Sequence, residues 1–420
     1  MRHKVHVNLF NLVTTIAKTV DLVNPILAGH HLRVAFIAGR MAQIGNLDRQ
    51  IEQDLVFAAA MHDLGAITVA ERFKALEFEA VNPHRHAEVG FQLLRRFQPF
   101  DRFAEIIRFH HVQWEHGSGT VFNNKNVPWE SHIIHLADRV DVLIDRDRHI
   151  LGQRKRILSE IEQHIGSWFE PRAVRLFKEL SMKDDFWFDL LSPNLENQLR
   201  SQVPIQIQVT WGINHTLEFA WLLAQIVDFR CRFTSTHSSG VSATAEYLAR
   251  LYGFSEMECQ KMMAAGFLHD IGKLAVPAEI LEKPGALSQE ERDIIKMHSY
   301  HTARILEPLG GLDDVIQWCA FHHERLDGNG YPFREIGANI PLGARILSVA
   351  DVFTALTEDR PYRKGLTKEK VQEILKDMVE RFFLDGRVLQ TLLDNYDAVD
   401  GVRRSAQAYA LEKYQELDII

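Results

Sequence analysis

The sequence predicts an all-α protein built from two tandem helical bundles, and three observations carry that prediction. Apolar residues recur at helical spacing through most of the 420 residues, whereas strand-like alternation is convincing only from Val203 to Trp211. The 21 histidines are concentrated where apolar helical runs begin or end. Their spacing also repeats. His30 to His62 is 62 − 30 = 32 positions, and His237 to His269 is 269 − 237 = 32; His86 to His110 and His298 to His322 are both 24. His110 to Asp138 spans 28 positions, against 29 from His322 to Asp351. Only the step between the second and third histidines differs clearly, at 24 against 29. Unrelated helices would not hold these residue types at matched separations, so the chain reads as an internal duplication.

Taken in order, Leu9 to Asp21 has the pattern of an amphipathic helix. A second helix is expected from near Pro25 past His30 toward Ile44, and a third from Asp54 to His62, closed by Gly65. His84 opens a helix through Leu94, another ends at His110-His111, and Ile133 to Ile144 carries Asp138. Residues 145–190 read as helical, with Trp168, Phe177, Trp187 and Phe188 supplying packing; 192–206 is polar enough to be a linker. The pattern then restarts. Leu217 to Asp228 matches Leu9 to Asp21, His237 begins a helix reaching Tyr252, and His269-Asp270 ends an apolar helix. His298 is expected to open another, His322-His323 to close the next, and Asp351 to lie within a helix from Ile346 to Leu356.

Composition narrows the function. A length of 420 residues favours two domains over one core, and 46% hydrophobic with 25% charged residues is that of a globular protein. A net charge of −8 argues against polymeric nucleic acid as a partner. Three cysteines without CxxC spacing indicate a reducing compartment, and no stretch has the length of a membrane-spanning helix or signal peptide. A cytoplasmic location and no membrane partner are therefore expected.

His237, His269, Asp270, His298, His322, His323 and Asp351 all fall on apolar helical faces or at helix ends. A single such histidine is usually a satisfied core residue, and a single aspartate a cap or ion-pair partner. Seven of them recurring in both halves favour metal, because burying them unpaired would be costly. Helices that each contribute one or two His or Asp ligands can enclose two ions, with Asp270 placed to bridge them. This donor set suits iron, manganese or zinc rather than a thiolate zinc site. Two neighbouring ions can activate water and clamp the oxygens of a displacement at phosphorus. His3, His6, His149, His164 and His215 lack the pattern and are expected at the surface.

After His322-His323, the run Glu324-Arg325-Leu326-Asp327-Gly328-Asn329-Gly330-Tyr331-Pro332 has no packing rationale. Together with His237-Ser238, His269-Asp270-Ile271-Gly272-Lys273, His298, Ala350-Asp351 and Arg360-Pro361-Tyr362-Arg363, it resembles the HD-GYP family of HD-domain metal-dependent phosphohydrolases over roughly residues 206–400. The resemblance implies two tandem HD-type helical bundles. It also implies a phosphodiesterase acting on 3′,3′-cyclic GMP-AMP, cyclic di-GMP or both, with a linear 5′-phosphorylated dinucleotide as product. The seven residues would hold two divalent transition-metal ions, iron or manganese. Asp270 and Lys273 would be catalytic, and Lys273, Tyr331, Arg360 and Arg363 would bind substrate. Two departures stand out: Phe233 replaces a glutamate that supports a third metal in some members, and Thr354 replaces an aspartate found in many.

The first half resembles the same fold in degenerate form. His30, His62, Asp63, His86, His110, His111 and Asp138 occupy the seven ligand positions and offer a second metal site. Ala66 stands where Lys273 stands, Gly117 to Val121 replaces the Gly-Tyr-Pro loop, and the Arg-Pro-Tyr-Arg element has no counterpart. The expected organisation is a degenerate domain over 1–191, a linker over 192–206 and a catalytic domain over 207–420. The expected partners are a cyclic-dinucleotide substrate and, as an open oligomeric option, a second copy in a homodimer. The competing reading is a signalling module that binds a cyclic dinucleotide without turning it over.

Overall fold

The structure is a computed structural model that describes residues 5–22, 28–66, 84–202, 208–230, 236–281, 283, 285–359 and 364–416. Among the described residues it is all-α apart from two small two-stranded sheets, Val5–Asn8 with Gln208–Trp211 and Val121–Phe122 with Lys125–Asn126. The expected extended stretch is thus a strand over its second part. Its partner strand at the start of the chain carries too few residues to show alternation. Among the described residues no helix is long and apolar enough to cross a membrane.

The chain forms two compact units, residues 8–209 and residues 210–420 with 1–7. The stretch expected to link them carries helix Leu195–Gln202, with Leu195 and Leu199 buried. In the first unit, helix His30–Ile44 packs against Arg49–Ala60 and Trp129–Val142, while His84–Leu94 packs against Asp101–Arg108. In the second, His237–Leu251 lies against Glu256–Leu268, Leu342–Thr357 and Tyr396–Glu416. Phe36, Phe57, Phe103 and Phe177 are fully buried in the first core, and Leu268, Ile346, Leu347 and Phe353 in the second.

Several element boundaries differ from the sequence expectation. The helix carrying His30 starts at that residue, after Gly29 at φ 74°; residues 23–27, with Pro25, lie outside the described part. His298 does not open its helix. Ser288 and Glu291 form a capping box that starts Gln289–Leu306 upstream and leaves His298 in its middle, facing the core. Phe188 is exposed, whereas Phe177 and Trp187 are buried as packing residues.

Gly65 is not a helix stop: the preceding helix ends at Ala60 with Met61 as its cap. A Cβ on Gly65 would sit 2.1 Å from the His86 carbonyl oxygen, and one on Gly272 would sit 1.9 Å from that of His298. The two glycines are equivalent in the repeat. Each lets the turn carrying a His-Asp pair press onto the helix carrying the next histidine.

Candidate metal centre

In the second unit, His269 and Asp270 leave the end of Glu256–Leu268 and enter a tight turn, Ile271–Ala275. The Thr302 hydroxyl locks this turn, donating to the His269 carbonyl at 3.0 Å and accepting from the Gly272 N–H at 3.0 Å. His322 follows directly on Asp313–Phe321. Asp351 projects from Leu342–Thr357, and His237 from the start of its own helix.

All seven expected positions come together. His237, His269 and Asp351 form one group with donor atoms within 4.8 Å of one another, as do His269, Asp270 and His322, and also His298, His322 and His323. Asp270 faces both sides, with Oδ2 3.2 Å from His269 Nε2 and Oδ1 3.4 Å from His298 Nε2. Asp351 Oδ1 lies 3.1 Å from His237 Nε2 and 3.9 Å from His269 Nε2.

The imidazoles are oriented by their outer nitrogens. Nδ1 of His269, His298 and His322 donates to the carbonyl three residues earlier, at 2.8, 2.7 and 2.6 Å. Each Nε2 is thereby left as a lone-pair donor pointing inward. The Nε2 atoms of His269 and His322 and Oδ1 of Asp270 are buried without a hydrogen bond. Such orphaned atoms are costly unless a cation satisfies them, so the residues fit a divalent metal. Burial pushes His298 down to about 4 and His322 down to about 3, keeping both rings neutral as ligands must be. Burial would raise Asp270, but His269 and Lys273 outweigh it and hold the carboxyl well below the usual range.

Lys273 Nζ pairs with Asp270 Oδ2, beside the cluster. The Tyr331 ring lies 4.9 Å from that of His323. The loop carrying Tyr331 is pinned by Glu324, a buried carboxylate that accepts the backbone N–H groups of Phe333, Arg334 and Glu335 at 2.7, 3.1 and 3.0 Å. Gly330 is needed there because a Cβ would meet the Arg325 nitrogen at 2.4 Å. Arg360, Arg363 and Phe233 lie outside the described residues.

The first unit gathers its counterparts too. Asp63, His86, His110 and His111 form one group, and His30, His62 and Asp63 another. Asp138 Oδ1 lies 3.5 Å from His30 Nε2 and 3.8 Å from His62 Nε2. The segment from Gly117 to Thr120 belongs to a turn whose start is bonded to residues 166–168, with Trp114, Glu115 and His116 donating to backbone carbonyls there. Ala66, in place of Lys273, is buried. Of the histidines expected at the surface, His149 is exposed, while His164 and His215 sit half-buried beside Trp168 and Trp211; His3 and the His6 side chain lie outside the described part.

Sequence reasoning missed the supporting carboxylates. Asp21 Oδ1 contacts His31 Nδ1 at 2.5 Å, and Asp228 accepts the Ser238 hydroxyl at 2.8 Å. Asp21 and Asp228 are 228 − 21 = 207 positions apart, the same offset as His30 and His237, so the repeat itself carried that signal. Asp141 holds His30 Nδ1 at 2.8 Å and Arg33 Nε at 2.6 Å, and Glu358 holds His237 Nδ1 at 3.1 Å.

Comparison with known proteins agrees with this arrangement. HD-domain families match residues 27–143 and residues 221–388. The chain is 34% identical over 401 residues to 3′3′-cGAMP-specific phosphodiesterase 1 of Vibrio cholerae, covering 93% of this chain and 92% of that relative. It is 38% identical over 175 residues to a cyclic di-GMP phosphodiesterase response regulator of Xanthomonas campestris, covering 41% of this chain and 46% of the relative. A crystal structure of a cyclic GMP-AMP specific phosphodiesterase of V. cholerae matches with a TM-score of 0.64 at 21% identity, over 97% of this chain and 98% of that one. That last likeness is one of fold.

Proposed function

The chain belongs to the HD-GYP family of HD-domain phosphodiesterases, and from that premise we propose that its second unit hydrolyses 3′,3′-cyclic GMP-AMP to a linear 5′-phosphorylated dinucleotide. The observation that carries the substrate choice is the alignment with a 3′3′-cGAMP-specific enzyme across both halves, over 93% of this chain. Cyclic di-GMP is the second reading, favoured by the 38% identity to a cyclic di-GMP phosphodiesterase within a shorter span.

His237, His269, Asp270, His298, His322, His323 and Asp351 would hold two divalent ions, with Asp270 shared between them. Iron or manganese suits this set of nitrogen and oxygen donors. The nearby Cys319 thiol is turned away, toward the Ala265 carbonyl at 3.4 Å. When bound, the ions supply Lewis acidity and neutralise charge at the phosphodiester. Lys273, held by Asp270, presents its ammonium to a phosphoryl oxygen and can give up a proton to the departing ribose 3′ oxygen. Tyr331, set by the Glu324-pinned loop, offers a ring for the nucleotide. Arg360 and Arg363 would grip its phosphates.

In the first unit Ala66 stands at the Lys273 position and Gly117 to Val121 replaces the Gly-Tyr-Pro loop, so its part is regulatory or structural rather than catalytic. The test is turnover of 3′,3′-cyclic GMP-AMP, cyclic di-GMP and cyclic di-AMP by the iron- or manganese-loaded chain. A His269→Ala, Asp270→Ala double variant is the control. Lys273→Ala should keep its metal and lose roughly 100-fold or more in kcat. A metal-loaded chain that binds a cyclic dinucleotide without cleaving it would replace the enzyme with a signalling module.

A further inference from the structure

The first unit repeats the ligand positions of the second but differs in the charge beside Asp138. Asp63 Oδ1 stands 3.0 Å from His86 Nε2 and 3.5 Å from His110 Nε2. His86 Nε2 stands 3.4 Å from His110 Nε2 and 2.9 Å from His111 Nε2. For metal–ligand bonds of about 2.0–2.2 Å, tetrahedral ligand atoms stand about 3.3–3.6 Å apart, so these four atoms already lie near the vertices of one coordination shell. Asp63 Oδ1 is buried without a hydrogen bond and points into that shell. His110 Nδ1 donates to the Ile107 carbonyl at 2.6 Å, which commits its Nε2 inward as a lone pair.

On the other side of Asp63 the two units diverge in charge. Asp138 Oδ1 faces His30 and His62 Nε2 at 3.5 and 3.8 Å, much as Asp351 Oδ1 faces His237 and His269, but its carboxylate is also paired with an arginine. Oδ2 of Asp138 is taken by the buried Arg139, at 2.6 Å from Nη2 and 3.1 Å from Nε. The residue following Asp351 is Val352, so no guanidinium stands at that position of the second unit. A second buried arginine, Arg33, already neutralises Asp141. A dication beside His30 and His62 would have to sit near a fixed positive charge and draw on a carboxylate whose charge that guanidinium already balances, although its Oδ1 has no hydrogen-bond partner.

We propose that the first unit binds one divalent transition-metal ion, through Asp63, His86, His110 and His111, and that the Arg139 guanidinium takes the place of a second. The ion closes the turn carrying Asp63 onto the helix carrying His86 and the end of the helix before His110, so it is structural. This inference concerns the first unit alone and stands apart from any turnover by the second.

The test counts metal. The full-length chain is loaded with manganese(II) or cobalt(II), freed of excess, and analysed for metal per chain, with circular dichroism to confirm folding. The unaltered protein should hold three ions. His269→Ala with Asp270→Ala should leave one, and His110→Ala with His111→Ala should remove one from the full count. Arg139→Gln should add one, because Asp138 is released to bind. Cobalt(II) absorption from the chain altered at His269 and Asp270 should report a single nitrogen- and oxygen-ligated site. A count of zero or two in the chain altered at His269 and Asp270 overturns the proposal, as does a count in Arg139→Gln unchanged from that of the unaltered protein. If the alanine variants fail to fold, the difference in count between Arg139→Gln and the unaltered chain still decides.

Discussion

The Glu358 carboxylate accepts from Nδ1 of His237 at 3.1 Å, across 121 positions of sequence. In the first unit the same task falls to Asp141, 2.8 Å from Nδ1 of His30. The repeat position of Asp141 is Thr354, buried with its hydroxyl unpartnered. Glu358 lies one helical turn further on, at the end of Leu342–Thr357, and its longer side chain reaches back to the histidine. The departure at Thr354 is therefore a relocation of the orienting carboxylate, and Gln407 braces it by donating to Glu358 at 3.3 Å.

Glu358→Gln should weaken metal binding and lower turnover by roughly 10- to 100-fold, the usual size of losing a carboxylate behind a histidine ligand. Adding Thr354→Asp should recover part of that loss, since the first unit shows an aspartate there reaching the same nitrogen. Metal titration of the single and double variants checks it, and a double variant no better than the single one would count against the relocation.

Binding of metal should be proton-linked through His237. Burial by itself would push this imidazole down, but Glu358 and Asp351 outweigh it and raise it to about 10. A raised folded value means that its contribution to metal-free stability is fully present below 6.5 and is lost as pH rises through 10. Melting of the metal-free chain should therefore drop between pH 7 and 10. Manganese affinity at this position should climb about tenfold per pH unit over the same window, because the ion displaces that proton. Isothermal titration in buffers of different ionisation enthalpy should show proton release at pH 7, and Glu358→Gln should shrink it.

Gly272→Ala should be among the most damaging small substitutions. Its Cβ would fall 1.9 Å from the His298 carbonyl oxygen and 2.7 Å from the Thr302 nitrogen, both backbone atoms that cannot turn aside. A loss of about 3 kcal/mol or more is expected, with weaker metal binding, since His269 and His298 are held through this contact. Gly253→Ala is the control: no atom lies within 4 Å of its Cβ, and its φ of 76° should limit the cost to about 1–2 kcal/mol.

Glu324→Ala should loosen the loop without emptying the centre. Three backbone N–H groups would lose their acceptor, so hydrogen exchange over 327–335 should rise while metal content stays constant. Activity on a cyclic dinucleotide should fall roughly 10- to 100-fold, mainly in kcat/KM, because Tyr331 is no longer fixed.

Much of this arrangement was legible in the sequence because ligands in a duplicated helical fold recur at fixed spacing. The matched intervals from His30 to His62 and from His237 to His269 exposed the repeat and the helical class. The His-Asp pairs and the run from His322 to Pro332 pointed to residues that the structure gathers into a candidate centre. Periodicity misplaced the start of the helix carrying His298, since a capping box upstream extends it. It also read Gly65 as a helix stop, when the requirement on that glycine comes from a different helix.

The sequence by itself determined which residue types face the interior of each bundle and at what spacing, because a helical period and a ligand set are local properties. Only the tertiary structure decided how those residues are charged and oriented. Glu358 behind His237, Glu324 beneath the loop and Arg139 against Asp138 sit where helix packing and turns direct side chains in a buried, low-dielectric space. There, one carboxylate or guanidinium sets what an imidazole or aspartate can bind; chain order does not reveal Glu358 behind His237, and the adjacency of Arg139 to Asp138 does not tell that its guanidinium folds back onto that carboxylate.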